Sequence, residues 1–244
     1  MYKHLYDTFK RWYCGGSVYF YSDPHFADDE MKYLRKNYIG DDEQVKAINH
    51  KIGKNDTWIC LGDINDLEYV RKIRGYKVLI CGNHDKGASN YKRANIELIY
   101  NTDMYTADEA RKAALAQYPN YKIVSCKKRL KISDSTELWD IYSDWVVTMD
   151  NCLFDEVYEG PLCISEKIIL SHEPLDIPCM LNIHGHDHSN KAYTDERHLN
   201  VCAEHIGYTP VGIKEIVESG ALGKINSIHR ETIDKATERS KKRK

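Results

Sequence analysis

Several things are missing from this chain of 244 residues. None of its eight cysteines stands in a CxxC pair, so neither a zinc knuckle nor a thioredoxin-type redox motif is present. No apolar run reaches the eighteen or more residues of a membrane span. The segment MYKHLYDTFKRW carries charges where a secretory leader needs an apolar core, so the expected location is cytoplasmic, with no stable membrane association. Charge of one sign is not in excess: 35 Lys and Arg face 37 Asp and Glu, a net −2. That argues against a globally basic nucleic-acid binder and leaves room only for a local basic patch. Phenylalanine is scarce, 4 against 18 Tyr, a bias that suits partly exposed surfaces. No internal repeat is evident.

What is present is an alternation of short apolar runs and helical patterns. Residues 1–13 place Tyr2, Leu5, Tyr6, Phe9, Trp12 and Tyr13 at helical spacing, which predicts an amphipathic helix packed on its own domain. Val18–Tyr21, Thr57–Leu61, Lys77–Cys81, Lys167–Leu170, Met180–Ile183 and residues 198–202 read as strands. Residues 29–36, 41–52 and 66–73 read as helices between the first of them. Cys60 and Cys81 lie inside apolar runs, as buried reduced thiols do. Strands alternating with helices imply an α/β fold. Residues 90–165 interrupt the rhythm. Thr106–Gln117 predicts a helix with a Thr106/Glu109 capping box. Lys122–Lys131 is a basic stretch, and Trp139, Tyr142 and Trp145 follow it. Phe154–Tyr158 and Leu162–Ser165, divided by Glu-Gly-Pro, read as a hairpin. The segment 221–244 reads as a charged C-terminal tail, a frayed helix or disordered from Lys235 on.

The chemistry gathers where the strands end. Asp23, His25, Asp63, Asn83, His84, His172, His186 and His188 each follow an apolar run within a few residues. In α/β folds the carboxyl ends of strands are where ligands bind. Carboxylate and amide oxygens mixed with imidazole nitrogens suit divalent first-row metals, and the absence of thiolates argues against a structural zinc. One such histidine is unremarkable. Five of the chain's 11 histidines beside Asp and Gly at strand ends are costly to bury unless a cation holds them.

The blocks Asp23-Pro-His25, Gly62-Asp63-Ile-Asn-Asp66, Gly82-Asn83-His84-Asp85, Ser171-His172-Glu-Pro and Gly185-His186-Asp-His188 occur in one order. In this the chain resembles the calcineurin-like metallophosphoesterase family, especially its small bacterial and phage branch, over about residues 17–90 and 165–215. The resemblance implies a four-layer α/β/β/α sandwich with two mixed sheets, plus an inserted subdomain: a single domain over 1–220 with 91–160 as the insertion. It implies two divalent metal ions, Mn foremost, with Fe, Ni, Co or Zn as alternatives. Asp23, His25, Asp63 and His188 would hold the first, and Asp63, Asn83, His172 and His186 the second. Asp63 would bridge, with a hydroxide between the metals as nucleophile. His84 would be the catalytic acid, and Asp85 would orient it. Asp66 reads as a helix cap rather than a ligand. His184 reads as a structural residue, and His50 and His205 have no motif behind them.

The activity so implied is phosphoester hydrolysis by a dinuclear centre, as a phosphodiesterase on a nucleotide or nucleic-acid substrate. The alternatives are a phosphomonoesterase, either a nucleotide or a protein phosphatase, and a catalytically silent binding module on the same fold. Asn83 and His172 stand 89 positions apart, more than the family core needs. The insertion is expected either to cap the metal site and shape substrate choice, through its basic groups and aromatics, or to be a peripheral decoration.

Overall fold

Short runs of β-branched and aromatic residues closed by glycine or aspartate become strands, and amphipathic runs between them become helices. The computed structural model describes residues 5–132, 141–189, 193–226 and 228–242. It divides into two compact units: Met1–Lys92 together with Phe154–Lys244, and Arg93–Leu153.

In the first unit the chain opens with a 3-10 turn at Asp7–Phe9 and α1 (Lys10–Tyr13), then runs β1 (Val18–Tyr21), α2 (Met31–Leu34), α3 (Asp41–Lys51), β2 (Thr57–Cys60), α4 (Leu67–Val70) and β3 (Tyr76–Ile80). The second unit contains β4 (Asn95–Asn101), α5 (Ala107–Gln117), β5 (Lys122–Ile132) and β6 (Ile141–Asp150). The first unit resumes with β7 (Glu156–Tyr158), β8 (Leu162–Cys163), β9 (Ile168–Leu170), β10 (Leu181–His184), β11 (Tyr193–Asp195), β12 (His198–Asn200), β13 (Val211–Gly212), α6 (Ile213–Glu218) and α7 (Ile228–Lys241).

One sheet has the order β13-β1-β2-β3-β7, parallel except for β13, and the other β11-β12-β10-β9-β8, with β12, β10 and β9 parallel. Both are mixed sheets, so the chain is α/β. Alternate residues Val18, Phe20, Ile59, Leu61, Val78 and Ile80 of the first sheet enter the same core as Ile168, Leu170, Leu181, Ile183, Leu199 and Val201 of the second. On the opposite face of the first sheet Trp58 stacks on Phe154 at 5.6 Å. Such double-sided burial is what near-continuous apolar parallel strands require.

The N-terminal stretch does not form one helix. A 3-10 turn and a single α-turn suffice to bury Leu5, Phe9 and Trp12 in the shared core, with Trp12 Nε1 donating to Glu156 Oε2 at 3.1 Å. Tyr2, Trp139 and the final two lysine and arginine-flanked positions 243–244 lie outside the described residues. The expected hairpin over 154–165 is absent. Cys81 N–H donates to Tyr158 O and β7 joins β3 in parallel, while β8 joins β9 in the other sheet, so Glu159–Pro161 passes between sheets. Non-local pairing displaces the local turn reading. The tail also begins later than expected, since Leu222 and Ile225 are buried in the main core; only then comes the exposed helix α7.

The Arg93–Leu153 unit is an antiparallel sheet of order β4-β6-β5 with α5 packed on one face. Thr106 caps α5 through the expected box with Glu109. Ala110 and Ala114 bury against Val147 and Met149, ringed by Tyr100, Tyr105, Tyr118 and Tyr121. Much of the tyrosine excess is thus spent on a small core with polar edges. The basic stretch is the edge strand β5, where lysine and arginine discourage further strand pairing.

Candidate metal centre

The strand-end residues converge. Asp23 and His25 follow β1, Asp63 follows β2, and Asn83, His84 and Asp85 follow β3. His172 follows β9, and His186 and His188 follow β10. An amide ladder binds the loops together: Ser22 N–H donates to Val201 O, Asp23 N–H to Gly62 O and His25 N–H to Asp63 O. Four of these residues have left-handed backbones: Asp23 (φ 53°), His25 (45°), Asp63 (55°) and His186 (67°). Each costs on the order of 1–3 kcal/mol in a non-glycine residue, a strain that clusters at functional sites. Two glycines permit the close approach. A Cβ on Gly185 would meet Asp23 Oδ2 at 2.1 Å, and one on Gly62 (φ 103°) would meet His172 Nδ1 at 2.6 Å.

The donors form two groups that share Asp63. In the first, His25 Nε2 lies 3.8 Å from Asp23 Oδ1 and 3.6 Å from Asp63 Oδ2, and His188 Nε2 lies 3.4 Å from Asp23 Oδ1. In the second, His172 Nε2 lies 3.4 Å from Asp63 Oδ2, 2.8 Å from Asn83 Oδ1 and 3.1 Å from His186 Nδ1. Ligands about 2.1 Å from a cation are about 3.0 Å apart when cis-octahedral and about 3.4 Å when tetrahedral. The observed spacings are of that size. Of these donors, Asp23, His25, Asp63 and His172 are buried, while Asn83, His186 and His188 reach solvent.

The hydrogen bonds aim the nitrogens inward. His172 Nδ1 donates to Leu61 O at 2.7 Å, since a carbonyl only accepts, which leaves Nε2 facing Asp63, Asn83 and His186. His188 Nδ1 meets Glu204 Oε1 at 2.6 Å, which turns its Nε2 to Asp23. Among the described residues, Asp23 Oδ1 and His25 Nε2 are buried with no hydrogen-bond partner. Buried nitrogen and oxygen atoms gathered around one point and lacking a hydrogen-bond partner fit a cation.

The electrostatics agree. Burial alone would raise the Asp23 carboxyl, yet His188, His25 and His172 hold it well below the usual carboxylate range. Burial opposes Asp63 likewise, and His172 and the His84 amide outweigh it. Burial disfavours charge on His172, but Asp63 and Asp23 lift its pKa to about 9. Asp23 and Glu204 lift His188 to about 9 as well. The group is a set of carboxylates that demands positive charge, from protons or from metal.

Asp85 departs from its expected role. Its carboxylate accepts from the backbone N–H groups of Asp63 (2.8 Å), Gly82 (2.9 Å) and Ile64 (3.1 Å), so it braces the Asp63 loop rather than the His84 ring. His84 donates its own N–H to Asp63 Oδ1 at 3.0 Å and leaves an exposed imidazole 5.6 Å, centroid to centroid, from that of His25. Asp66 caps α4 by accepting from Glu68 N–H. Buried His184 bonds the Gly185 carbonyl, outside both donor groups, and His205 bonds Asp187 O.

Three residues were not foreseen. Glu204 holds His188 and pairs with buried Arg35 at 3.2 Å; Arg35 in turn donates to Asp23 O at 2.8 Å. Cys202 Sγ lies 3.3 Å from Asp23 Oδ2. Applying the strand-end rule to β12 would have found Cys202 and Glu204. The Cys81 thiol, two residues before Asn83, is pushed up to about 11 by burial and by Asp85 and Glu159, which favours its neutral form at pH 7.

No family model and no curated protein matches this chain. Among solved structures, it is similar to a protein of unknown function from Aquifex aeolicus, at 22% identity over 83% of this chain and 98% of that one, with a TM-score of 0.48. No helix among the described residues is long and apolar enough to cross a membrane.

Proposed function

We propose that this chain is a metal-dependent phosphoester hydrolase, acting as a phosphodiesterase on nucleotide-type esters. The observation that carries the reading is the pair of donor groups joined through Asp63, one of them holding the unpartnered, buried Asp23 Oδ1 and His25 Nε2. Asp23, His25, Asp63 and His188 would hold one divalent ion, manganese foremost, and Asp63, Asn83, His172 and His186 the other. When bound, such a pair activates water at neutral pH and neutralises charge developing on the phosphoryl oxygens. The two mixed sheets and their common core are read as the inner layers of a four-layer α/β/β/α sandwich.

The rest falls to the chain's own side chains. His84 is exposed at the edge of the cluster, with its backbone tied to Asp63, and is placed to give a proton to the departing alcohol oxygen. Asp85 fixes the Asp63 loop, and Glu204 and Leu61 O fix the ring orientations of His188 and His172. None of the eight cysteines is in a disulfide, which suits a reducing, cytoplasmic setting.

The test is hydrolysis of bis-p-nitrophenyl phosphate and p-nitrophenyl phosphate, side by side, by metal-stripped protein given Mn, Ni, Co, Zn or Mg. Metal-dependent diester turnover that collapses in Asp63→Ala and His84→Ala is the expected result. Faster monoester turnover would make the chain a phosphatase. Two bound metals without turnover of either ester would make it a binding module.

A further inference from the structure

A cavity of about 250 Å³ opens beside Asn83 and His172, at the carboxyl ends of β3 and β9. Pro161 and Leu175 give it apolar walls, and the exposed carboxylates of Glu159 and Glu173 stand on its lining. Neither carboxylate has a hydrogen bond or ion pair among the described residues, and no lysine or arginine lines the cavity. Ionised carboxylates only accept hydrogen bonds, so the ligand groups that satisfy them are hydroxyls or amines. They also repel any second phosphate.

We propose that this cavity is the subsite for the alcohol portion that stays on the phosphate, and that it takes a hydroxyl-bearing group without negative charge, attached through a single phosphate. The inference rests on the phosphoester reading above and narrows it: sugar-like or nucleoside esters are accepted, and polyphosphates and strands bearing further phosphates are disfavoured. A cavity of this volume is about 8 Å across, and unit charges at that separation in water change binding by about 2.4-fold per pair. Two carboxylates therefore disfavour each added unit of negative charge by about sixfold at low salt, and less as salt rises.

The experiment uses the full chain loaded with Mn. The substrates are thymidine 5′-(p-nitrophenyl phosphate) and the same ester carrying a 3′-phosphate. In parallel, binding of thymidine 5′-monophosphate and thymidine 3′,5′-bisphosphate is measured by titration calorimetry. Wild type is expected to prefer the 3′-hydroxyl compound in both measurements. The double variant Glu159→Gln, Glu173→Gln is expected to shift the ratio by about sixfold toward the 3′-phosphate. A ratio that does not move, or a wild type that favours the 3′-phosphate, overturns the assignment. The two readings fail separately. Binding in the expected order without turnover leaves the cavity standing and removes the hydrolase. Turnover with an unmoved ratio does the reverse.

Discussion

Asp85→Asn separates two roles for that carboxylate. In the structure, one oxygen accepts from Asp63 and Gly82 N–H and the other from Ile64 N–H, at a site only 9% exposed. An asparagine keeps one acceptor and turns an amide NH2 on the remaining donor. One buried N–H is then left unmatched, at about 1–3 kcal/mol, and two charge-assisted bonds become neutral ones, at about 1 kcal/mol each. The net loss is about 3–5 kcal/mol, which in a chain of this size lowers the melting temperature by roughly 6–20 °C. Asp63 moves with its loop, so Mn affinity falls about 10- to 100-fold. Thermal unfolding of the metal-free protein and Mn titration of both proteins read these effects. A variant that melts within a degree or two of wild type, binds Mn as tightly and changes only the pH profile of turnover would refute the bracing role. It would return Asp85 to the His84 ring.

Metal binding should expel protons. His172 and His188, both raised to about 9, are protonated in the metal-free protein at pH 7, so filling the site should release about two protons per chain, and few above pH 9. Calorimetry in buffers of different ionisation enthalpy measures this; a buffer-independent heat at pH 7 would contradict it. For the same reason these imidazoles stabilise the metal-free fold fully below about pH 6.5, and that contribution is lost as pH rises through 9, readable in its melting temperature. Glu204→Gln should weaken Mn binding about tenfold by freeing the His188 ring, and an unchanged affinity would show that Glu204 serves only Arg35. Lys92 and Phe154 form a parallel bridge, and Phe154 N–H donates to Tyr91 O. Because a parallel connection needs about a dozen residues to return, joining them through a Gly-Ser linker of that length in place of Arg93–Leu153 should leave one cooperative unfolding transition and bound metal. An altered ranking of nucleotide esters would assign substrate choice to the excised unit, and an unaltered ranking would make it a decoration.

The strand-end donors were legible because apolar runs such as TWICL and KVLIC are too short for helices and stop at Gly-Asp or Gly-Asn. That pattern puts Asp23, His25, Asp63, Asn83, His172, His186 and His188 at the ends of buried strands from sequence alone. Asp66 as a cap and the Thr106/Glu109 box were equally local, since each depends on three or four residues. The misreadings involve partners distant in sequence. Nothing within Phe154–Ser165 reveals that β7 pairs with β3 and β8 with β9. Asn95–Asn101 alternates like a strand, yet it was passed over inside an insertion with no expected sheet. The family resemblance implies that Asp85 orients His84, whereas its donors come from Asp63 and Ile64, more than twenty positions away, and from Gly82. Arg35 belongs to no block and becomes visible only when its side chain meets Glu204 and the Asp23 carbonyl, whereas Glu204 follows the strand over 198–202 and was within reach of the strand-end pattern.

The central claim is a dinuclear site bridged by Asp63, and the most direct test is manganese stoichiometry with electron paramagnetic resonance on the reconstituted chain. Wild type is expected to hold two ions per chain with the signature of exchange coupling. Asp63→Asn is expected to lose the coupling together with at least one ion. A single uncoupled ion in wild type, or coupling that survives the loss of the Asp63 carboxylate, would contradict that claim.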